Sequence, residues 1–145
     1  MGESPVFSII IPFKVWSPYL DECLSYVRAL SFGAYEVILL PDNVMVLPEA
    51  YRDLPIEVIP TGEVNPAIKR DIGAKRSSGE FLAFIDDDAY PQADWLDVAY
   101  LYLTTHNDVG SIGGPAITPP NDPYWARVSG AVFFSRASGG FPERY

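Results

Sequence analysis

The chain has 145 residues, of which 48% are hydrophobic and 20% are charged, and its net charge is −9 at pH 7. A chain of this length can bury a core of its own, so residues 1–145 are expected to form a single domain. The acidic balance argues against a nucleic-acid binder, because such a protein must neutralise phosphates with lysine and arginine. The single cysteine, Cys23, excludes an internal disulfide and a cysteine metal site.

Five short apolar segments are predicted to be strands of one sheet. Each is nearly continuous and rich in β-branched or aromatic residues, which is typical of strands covered on both faces, as in a parallel sheet. Proline, glycine or aspartate follows most of them, where a strand would end. The predicted strands are residues 6–12, 35–40, 56–59, 81–85 and 109–113, and residues 128–134 are a further candidate.

Three helices are predicted between these strands. Ser17–Pro18 and Asn65–Pro66 each combine a capping side chain with a proline at the first helical position, and Asp94 is a third cap. Gly73 lies inside the second helix and costs about 1 kcal/mol relative to alanine. A close approach by another backbone or by a ligand would explain that glycine. Alternating strands and helices predict an α/β fold, Rossmann-like, with a mainly parallel sheet and helices on both faces.

An acidic cluster is predicted at the edge of the sheet where ligands bind. With right-handed crossovers and strand order 3-2-1-4, the order reverses between strands one and four, and the ligand site lies outside the carboxyl ends there. Strand one ends at Pro12–Lys14, strand four runs directly into Asp86–Asp88, and Asp42 follows strand two. Carboxylate oxygens are the ligands that Mg²⁺ prefers, and adjacent carboxylates repel one another without a cation. The sequence therefore predicts a divalent-cation site, with a solvated turn as the alternative.

Two basic residues, Lys69 and Arg70, lie near the start of the second predicted helix. Cations at that end oppose the helix dipole, which suggests that both side chains face an anion such as a diphosphate. A solvated basic face is the alternative, and it weighs more for Lys69 than for Arg70.

Several of these segments together resemble glycosyltransferase family 2, whose members have the GT-A fold. The resemblance runs from about Val6 to Pro115, in the family's order and spacing. It is carried by Ile9–Pro12, Glu36–Asp42, Arg70–Gly73, Gly79–Asp88 and Val109–Pro115. Asp71 stands where the family has asparagine.

The resemblance implies a donor site made of residues from four segments. The nucleoside is held at the end of the first strand, the aspartate after the second strand contacts the base, and the arginine lies near the nucleotide. In the Asp-x-Asp motif, the last aspartate binds Mg²⁺ or Mn²⁺ and the earlier ones help to hold ribose and metal. The donor-binding residues are then Pro12, Phe13, Asp42, Arg70, Asp86 and Asp87, and the metal ligands are Asp88 and Asp86.

The activity that the resemblance implies is inverting transfer of a sugar from a UDP- or GDP-linked donor to an acceptor glycan or a lipid-linked sugar. The expected location is the cytoplasm or the inner face of the membrane. The family's general base, an aspartate of a downstream Glu-Asp pair, has no counterpart here, so the catalytic residue is unknown, with Asp122 and Glu143 as weak stand-ins. We therefore expect the donor-binding part of such an enzyme, truncated before the acceptor-binding part and weak or inactive alone.

Two other functions stay open at this point. A donor-binding module without turnover would also lack the base. A nucleotidyltransferase shares the use of nucleotide and metal, but it usually has a glycine-rich basic loop after the first strand, which this sequence lacks. Exposed apolar side chains at Val132–Phe134 and Phe141 would favour self-association.

Overall fold

The computed structural model describes residues 4–114 and 117–134, which divide into two compact units at Leu101 and Tyr102. The first unit holds a four-stranded sheet in the order β3-β2-β1-β4, in which every neighbouring pair is parallel. This order confirms the predicted one and places its reversal between β1 and β4. The strands are β1 (Phe7–Pro12), β2 (Tyr35–Leu40), β3 (Ile56–Val58) and β4 (Phe81–Phe84).

Four α-helices lie within the described residues, and three of them begin where the sequence predicts, at Pro18, Pro66 and Trp95. The first two have the predicted side-chain cap. The backbone N–H of Leu20 donates to Ser17 Oγ at 3.2 Å, and the backbone N–H of Ile68 donates to Asn65 Oδ1 at 3.0 Å. Each cap is followed by a proline, which needs no N–H partner at that position. The helices are α1 (Pro18–Arg28), α2 (Pro66–Arg76), α3 (Trp95–Thr105) and α4 (Tyr124–Phe134).

Helices of the first unit cover both faces of the sheet. On one face, α1 buries Leu20, Leu24 and Val27 completely, together with Leu96 at the start of α3. On the other face, α2 packs over a smaller cluster formed by Ile10, Ile38 and Leu40, with Ile72 and Ala74 against it. The sheet is therefore the central layer of an α/β sandwich, as predicted.

Gly73 lets α2 lie directly on the sheet. A Cβ atom at this position would stand 2.6 Å from Ile10 Cγ2 and 3.0 Å from Leu40 Cδ1, which is closer than non-bonded carbons tolerate. The predicted close approach is therefore present, but its partners are two side chains of the sheet and not a backbone or a ligand. The cost of a glycine within a helix is offset by this packing.

The fifth predicted strand and the further candidate are both wrong. Residues 109–114 have no regular secondary structure, and most of them are exposed. Three of these six residues are glycines, which have no side chain to pack on a neighbouring strand. Val128–Phe134 is the end of α4, a helix whose start follows Asp122–Pro123. The N–H of Arg127 donates to the carbonyl of Pro123 at 3.1 Å, so proline again stands at a helix start.

The apolar surface expected near the end of the chain is described only in part. Val132 of α4 is 53% exposed, and the side chains of Phe133 and Phe134 lie outside what the structure describes, as does Phe141. None of the helices in the described ranges has the length and apolar character needed to cross a bilayer.

A hydrogen-bonded carboxylate joins β1, β2 and the segment before β4. Ser8 Oγ donates to Glu36 Oε1 at 2.6 Å, Ser78 donates to the same carboxylate through its N–H at 2.7 Å and its hydroxyl at 2.9 Å, and Gly79 N–H donates to Ser8 Oγ. Burial on its own would raise the pKa of Glu36, but these donors lower it below its ordinary value of 4.5.

We expect Glu36→Gln to destabilise the protein at neutral pH and to have a smaller effect in acid. A carboxyl whose pKa is lowered in the folded state stabilises that state above the unfolded pKa, and this contribution is lost as pH falls through the folded pKa. The free energy of unfolding of wild type and variant should therefore converge below pH 4.5. Urea titrations between pH 3 and 7 measure this, with the exposed Glu63→Gln as control; a pH-independent difference would contradict it.

Candidate functional site

A cleft of about 400 Å³ opens at the carboxyl ends of β1 and β4, where the strand order reverses. It brings together four of the predicted donor or metal residues, Pro12, Phe13, Asp87 and Asp88, which approach from two neighbouring strands. The start of α2 forms another part of its wall. The remaining lining residues include Lys14, Val15, Ser17, Tyr19, Val64, Pro66 and Lys69.

A larger concavity of about 570 Å³ lies at the opposite edge of the sheet. It is lined by Pro5, Gly33, Ala34, Tyr35, Glu36 and Pro55. The carboxylate of Glu36 is already bound by serine hydroxyls and a backbone N–H. The cleft at the carboxyl edge is therefore the candidate site, because among the described residues it is lined by two acidic side chains, Asp87 and Asp88, that form no ion pair with a lysine or arginine.

Lys69 lies in the wall of this cleft with its ammonium group buried. The residue is 2% exposed, and Nζ donates to the carbonyl of Phe13 at 2.5 Å, to the carbonyl of Leu40 at 3.1 Å and to Asp42 Oδ1 at 2.5 Å. Its side chain faces neither solvent nor an external diphosphate. The anion that Lys69 binds is the carboxylate of Asp42.

Asp42 is held by its backbone as well as by Lys69. Its N–H donates to the carbonyl of Lys14 at 3.2 Å, and its own carbonyl accepts from the N–H of Gly62 at 2.9 Å. The side chain is 13% exposed. The aspartate that the resemblance places at the base is thus next to the cleft wall and fixed on several sides.

The spacing of α2 contains a signal for the buried lysine. Lys69 stands four residues before Gly73, so both lie on the same face of the helix, and Gly73 faces the sheet. Arg70, one residue further, is turned away from that face. Its guanidinium forms an ion pair with Asp86, and both side chains reach solvent. Two residues predicted to contact the nucleotide are therefore paired with each other.

The three aspartates after β4 differ in their environments. Burial raises the pKa of Asp87, and the neighbouring charges of Asp88 and Asp86 raise it further, against opposing effects from its backbone hydrogen bond and from Lys69. Cys23 lies beneath them, fully buried, with Sγ 3.8 Å from the carbonyl of Asp86. Burial, and then the charges of Asp87 and Asp88, raise the pKa of this thiol to about 12, so it stays protonated.

The carboxylates of the cleft fit a divalent cation whose remaining ligands come from a bound phosphate or from water. Within residues 4–114 and 117–134, no three His, Cys, Asp or Glu side chains converge closely enough to hold a metal ion. Asp87 and Asp88 nevertheless both line the cleft, and carboxylate oxygens suit Mg²⁺ and Mn²⁺. Mg²⁺ commonly takes one or two protein carboxylates and fills its shell with phosphates and water, which is the arrangement that this cleft allows.

The two residues considered as a general base are not part of the described cleft wall. Asp122 belongs to the second unit, in a turn where its N–H donates to the carbonyl of Pro119 at 3.2 Å. Glu143 lies outside the described residues, as does the Gly139–Phe141 segment.

The parallel sheet, its strand order and the acidic cleft at its carboxyl edge define an α/β domain of the GT-A type. The chain belongs to glycosyl transferase family 2, whose model matches residues 8–144. Among curated relatives, an uncharacterized glycosyltransferase, EpsJ of Bacillus subtilis, is 30% identical over 92 residues, or 59% of this chain and 27% of its own. The chain spans 19% to 44% of the length of the curated relatives that it matches.

Solved structures agree with this assignment. The 1–349 fragment of TarS from Staphylococcus aureus, in complex with UDP-GlcNAc, is 27% identical with a TM-score of 0.64, covering 75% of this chain and 36% of that one. Mannosyltransferase PcManGT from Pyrobaculum calidifontis, in complex with GDP-Man and Mn²⁺, has a TM-score of 0.65 at 20% identity, over 78% of this chain and 37% of its own. The second likeness shows the fold alone.

Proposed function

We propose that this chain binds the nucleoside diphosphate of a sugar donor and takes part in metal-dependent, inverting transfer of the sugar to an acceptor hydroxyl. The observation that carries the proposal is the cleft itself, which joins the end of β1 to Asp87 and Asp88 beside the fixed carboxylate of Asp42. The similarity to a TarS fragment in complex with UDP-GlcNAc supports a nucleotide-sugar ligand.

Each part of the cleft has its own task in this proposal. Pro12 and Phe13 pack against the nucleoside, and Asp42 accepts a hydrogen bond from the base. The guanidinium of Arg70 binds the incoming diphosphate, either after leaving Asp86 or while still paired with it. Asp86 and Asp87 bind ribose and cation. Asp88 and Asp86 would hold Mg²⁺ or Mn²⁺, and such an ion supplies charge stabilisation to a leaving diphosphate.

The donor is UDP-linked or GDP-linked in this proposal, and the acceptor is a glycan or a lipid-linked sugar. The acidic cleft repels an unshielded diphosphate, so nucleotide and cation should bind together. Calorimetric titration of UDP and GDP, each with and without Mn²⁺, tests this. At least one nucleotide should bind more tightly with the cation, and equal affinities in its presence and absence would overturn the proposal.

A donor-binding module without turnover is the second candidate function. It is favoured by one observation: the carboxylates that line the described cleft are Asp87 and Asp88, which this proposal assigns to ribose and cation, and Asp42 beside the cleft is bound to Lys69. None of these three is left to take a proton from an acceptor. Nucleotide binding is expected for both functions, whereas sugar transfer separates them.

A further inference from the structure

Lys69 carries a charge that folding alone does not require at this position. Removing an ammonium group from water is costly, and a buried lysine needs partners for its donors. The three partners are the carbonyls that end β1 and β2, at Phe13 and Leu40, and the carboxylate of Asp42. An apolar side chain at this position would fill the space beneath α2 without this cost. Of the three partners, Asp42 is the one that carries a charge, so it is the partner that matches the charge of the lysine.

The ammonium occupies one oxygen of that carboxylate. Nζ binds Oδ1 of Asp42, and within the described part of the chain no donor lies within hydrogen-bond distance of Oδ2. Because Lys69 is itself fixed by two backbone carbonyls, Asp42 has little freedom to exchange its two oxygens. Asp42 therefore keeps one carboxylate oxygen as a hydrogen-bond acceptor, and its backbone is bonded to Lys14, a residue that lines the cleft at the end of β1.

We propose that Lys69 is a positioning residue that orients Asp42 to offer a single acceptor oxygen, and that this arrangement selects uracil over guanine. The inference rests on the proposed function, in which Asp42 faces the base. Uracil has one ring N–H, at N3, which one oxygen satisfies. Guanine has adjacent donors at N1 and N2, which a carboxylate satisfies with both oxygens, so a guanine base here leaves one donor without a partner.

A purely structural role for Lys69 makes a different prediction. In that case the lysine only ties α2 to the ends of β1 and β2, and its loss lowers stability and the affinities for both nucleotides by the same factor. The ratio of UDP to GDP affinity separates the two roles, because a general loosening of the cleft does not distinguish one base from the other.

The test measures UDP and GDP binding calorimetrically in the presence of Mn²⁺. Wild type should prefer UDP by about tenfold or more, the discrimination typical of one well-placed hydrogen-bonding pair. In Lys69→Met, the affinity for UDP should fall and the preference should shrink to within about twofold. Lys75→Met removes an exposed lysine from the same helix and should change neither value.

Lys69→Arg keeps the test valid if Lys69→Met does not fold. The arginine retains the positive charge, but its planar fork binds both oxygens of a carboxylate, so Oδ2 is no longer free. This variant should keep its secondary structure by circular dichroism and lose the preference for UDP. Retention of the wild-type preference in both variants, or equal binding of UDP and GDP by wild type, would overturn the inference and leave the proposed function standing. Failure of both nucleotides to bind wild type would overturn the proposed function itself.

Discussion

Replacing Asp88 by asparagine should remove most of the gain in nucleotide affinity that Mn²⁺ provides. Asp88 lines the cleft and is the motif residue to which the resemblance assigns the cation. Loss of even a hydrogen-bond partner of a metal ligand typically costs about 10–100-fold in metal affinity, so loss of a ligand should cost at least as much. Without metal, the same substitution should raise the affinity for UDP slightly, because one negative charge facing the diphosphate is gone. Calorimetry with and without Mn²⁺ measures both effects, which have opposite signs.

Glu80→Gln is the matched control for this substitution. Glu80 is exposed and lies directly before β4, at the other end of the strand that leads to Asp88. The substitution removes the same unit of charge but leaves the carboxyl edge of the sheet unchanged. The affinities for UDP with and without Mn²⁺ should therefore stay as in wild type. An undiminished response to Mn²⁺ in Asp88→Asn would show that the cation binds elsewhere.

Sugar transfer by the 145-residue chain should be very slow even when the nucleotide binds. A general base contributes about 10²–10⁴-fold to such a reaction, and the positioning of the acceptor contributes further. The carboxylates that line the described cleft, Asp87 and Asp88, are assigned to ribose and cation, and Asp42 beside it is held by Lys69. Release of nucleoside diphosphate from a panel of nucleotide sugars should therefore rise little when simple sugar acceptors are added.

The matched measurement without acceptor separates transfer from hydrolysis of the donor. If acceptors produce a large increase in nucleoside diphosphate release, a base is present and the binding-module function is excluded. Asp122→Asn and Glu143→Gln would then identify it, since loss of activity in one of them names the residue. Unchanged activity in both would point to a base outside these candidates.

The central sheet could be predicted from local sequence because its signals are local. The continuous apolar runs at β1 and β2 are buried throughout or nearly so, and Ser17–Pro18 and Asn65–Pro66 begin helices through contacts within four residues. The order 3-2-1-4 is the common arrangement of a doubly wound sheet, and together with right-handed crossovers it placed the ligand site between β1 and β4. The strand predicted at residues 109–113 was wrong because an apolar segment forms a strand only where a neighbouring strand pairs with it, and the local sequence does not show that pairing.

The partner of Lys69 could not be predicted from its neighbours in sequence. Asp42 lies 27 residues earlier, and the pairing exists because α2 crosses back over the ends of β1 and β2. A lysine is usually exposed, so its residue type argues for solvent. The pairing of Arg70 with Asp86 is of the same kind, since each was assigned separately to the nucleotide. Local patterns thus located the cleft, whereas the connections inside it depend on the tertiary fold.

Gly73 has a consequence for ligand recognition that its place in the packing does not suggest. By letting α2 rest on Ile10 and Leu40, it sets the height of the helix above the sheet. Lys69 is one helical turn away, and with α2 at this distance from the sheet its ammonium donates to the carbonyl of Leu40 at 3.1 Å. Because tightly packed interiors transmit small displacements, a methyl group at Gly73 would lift the lysine away from Asp42. Gly73, one helical turn away from Lys69, thereby controls how the carboxylate of Asp42 is oriented, although it has no side chain and does not contact that carboxylate.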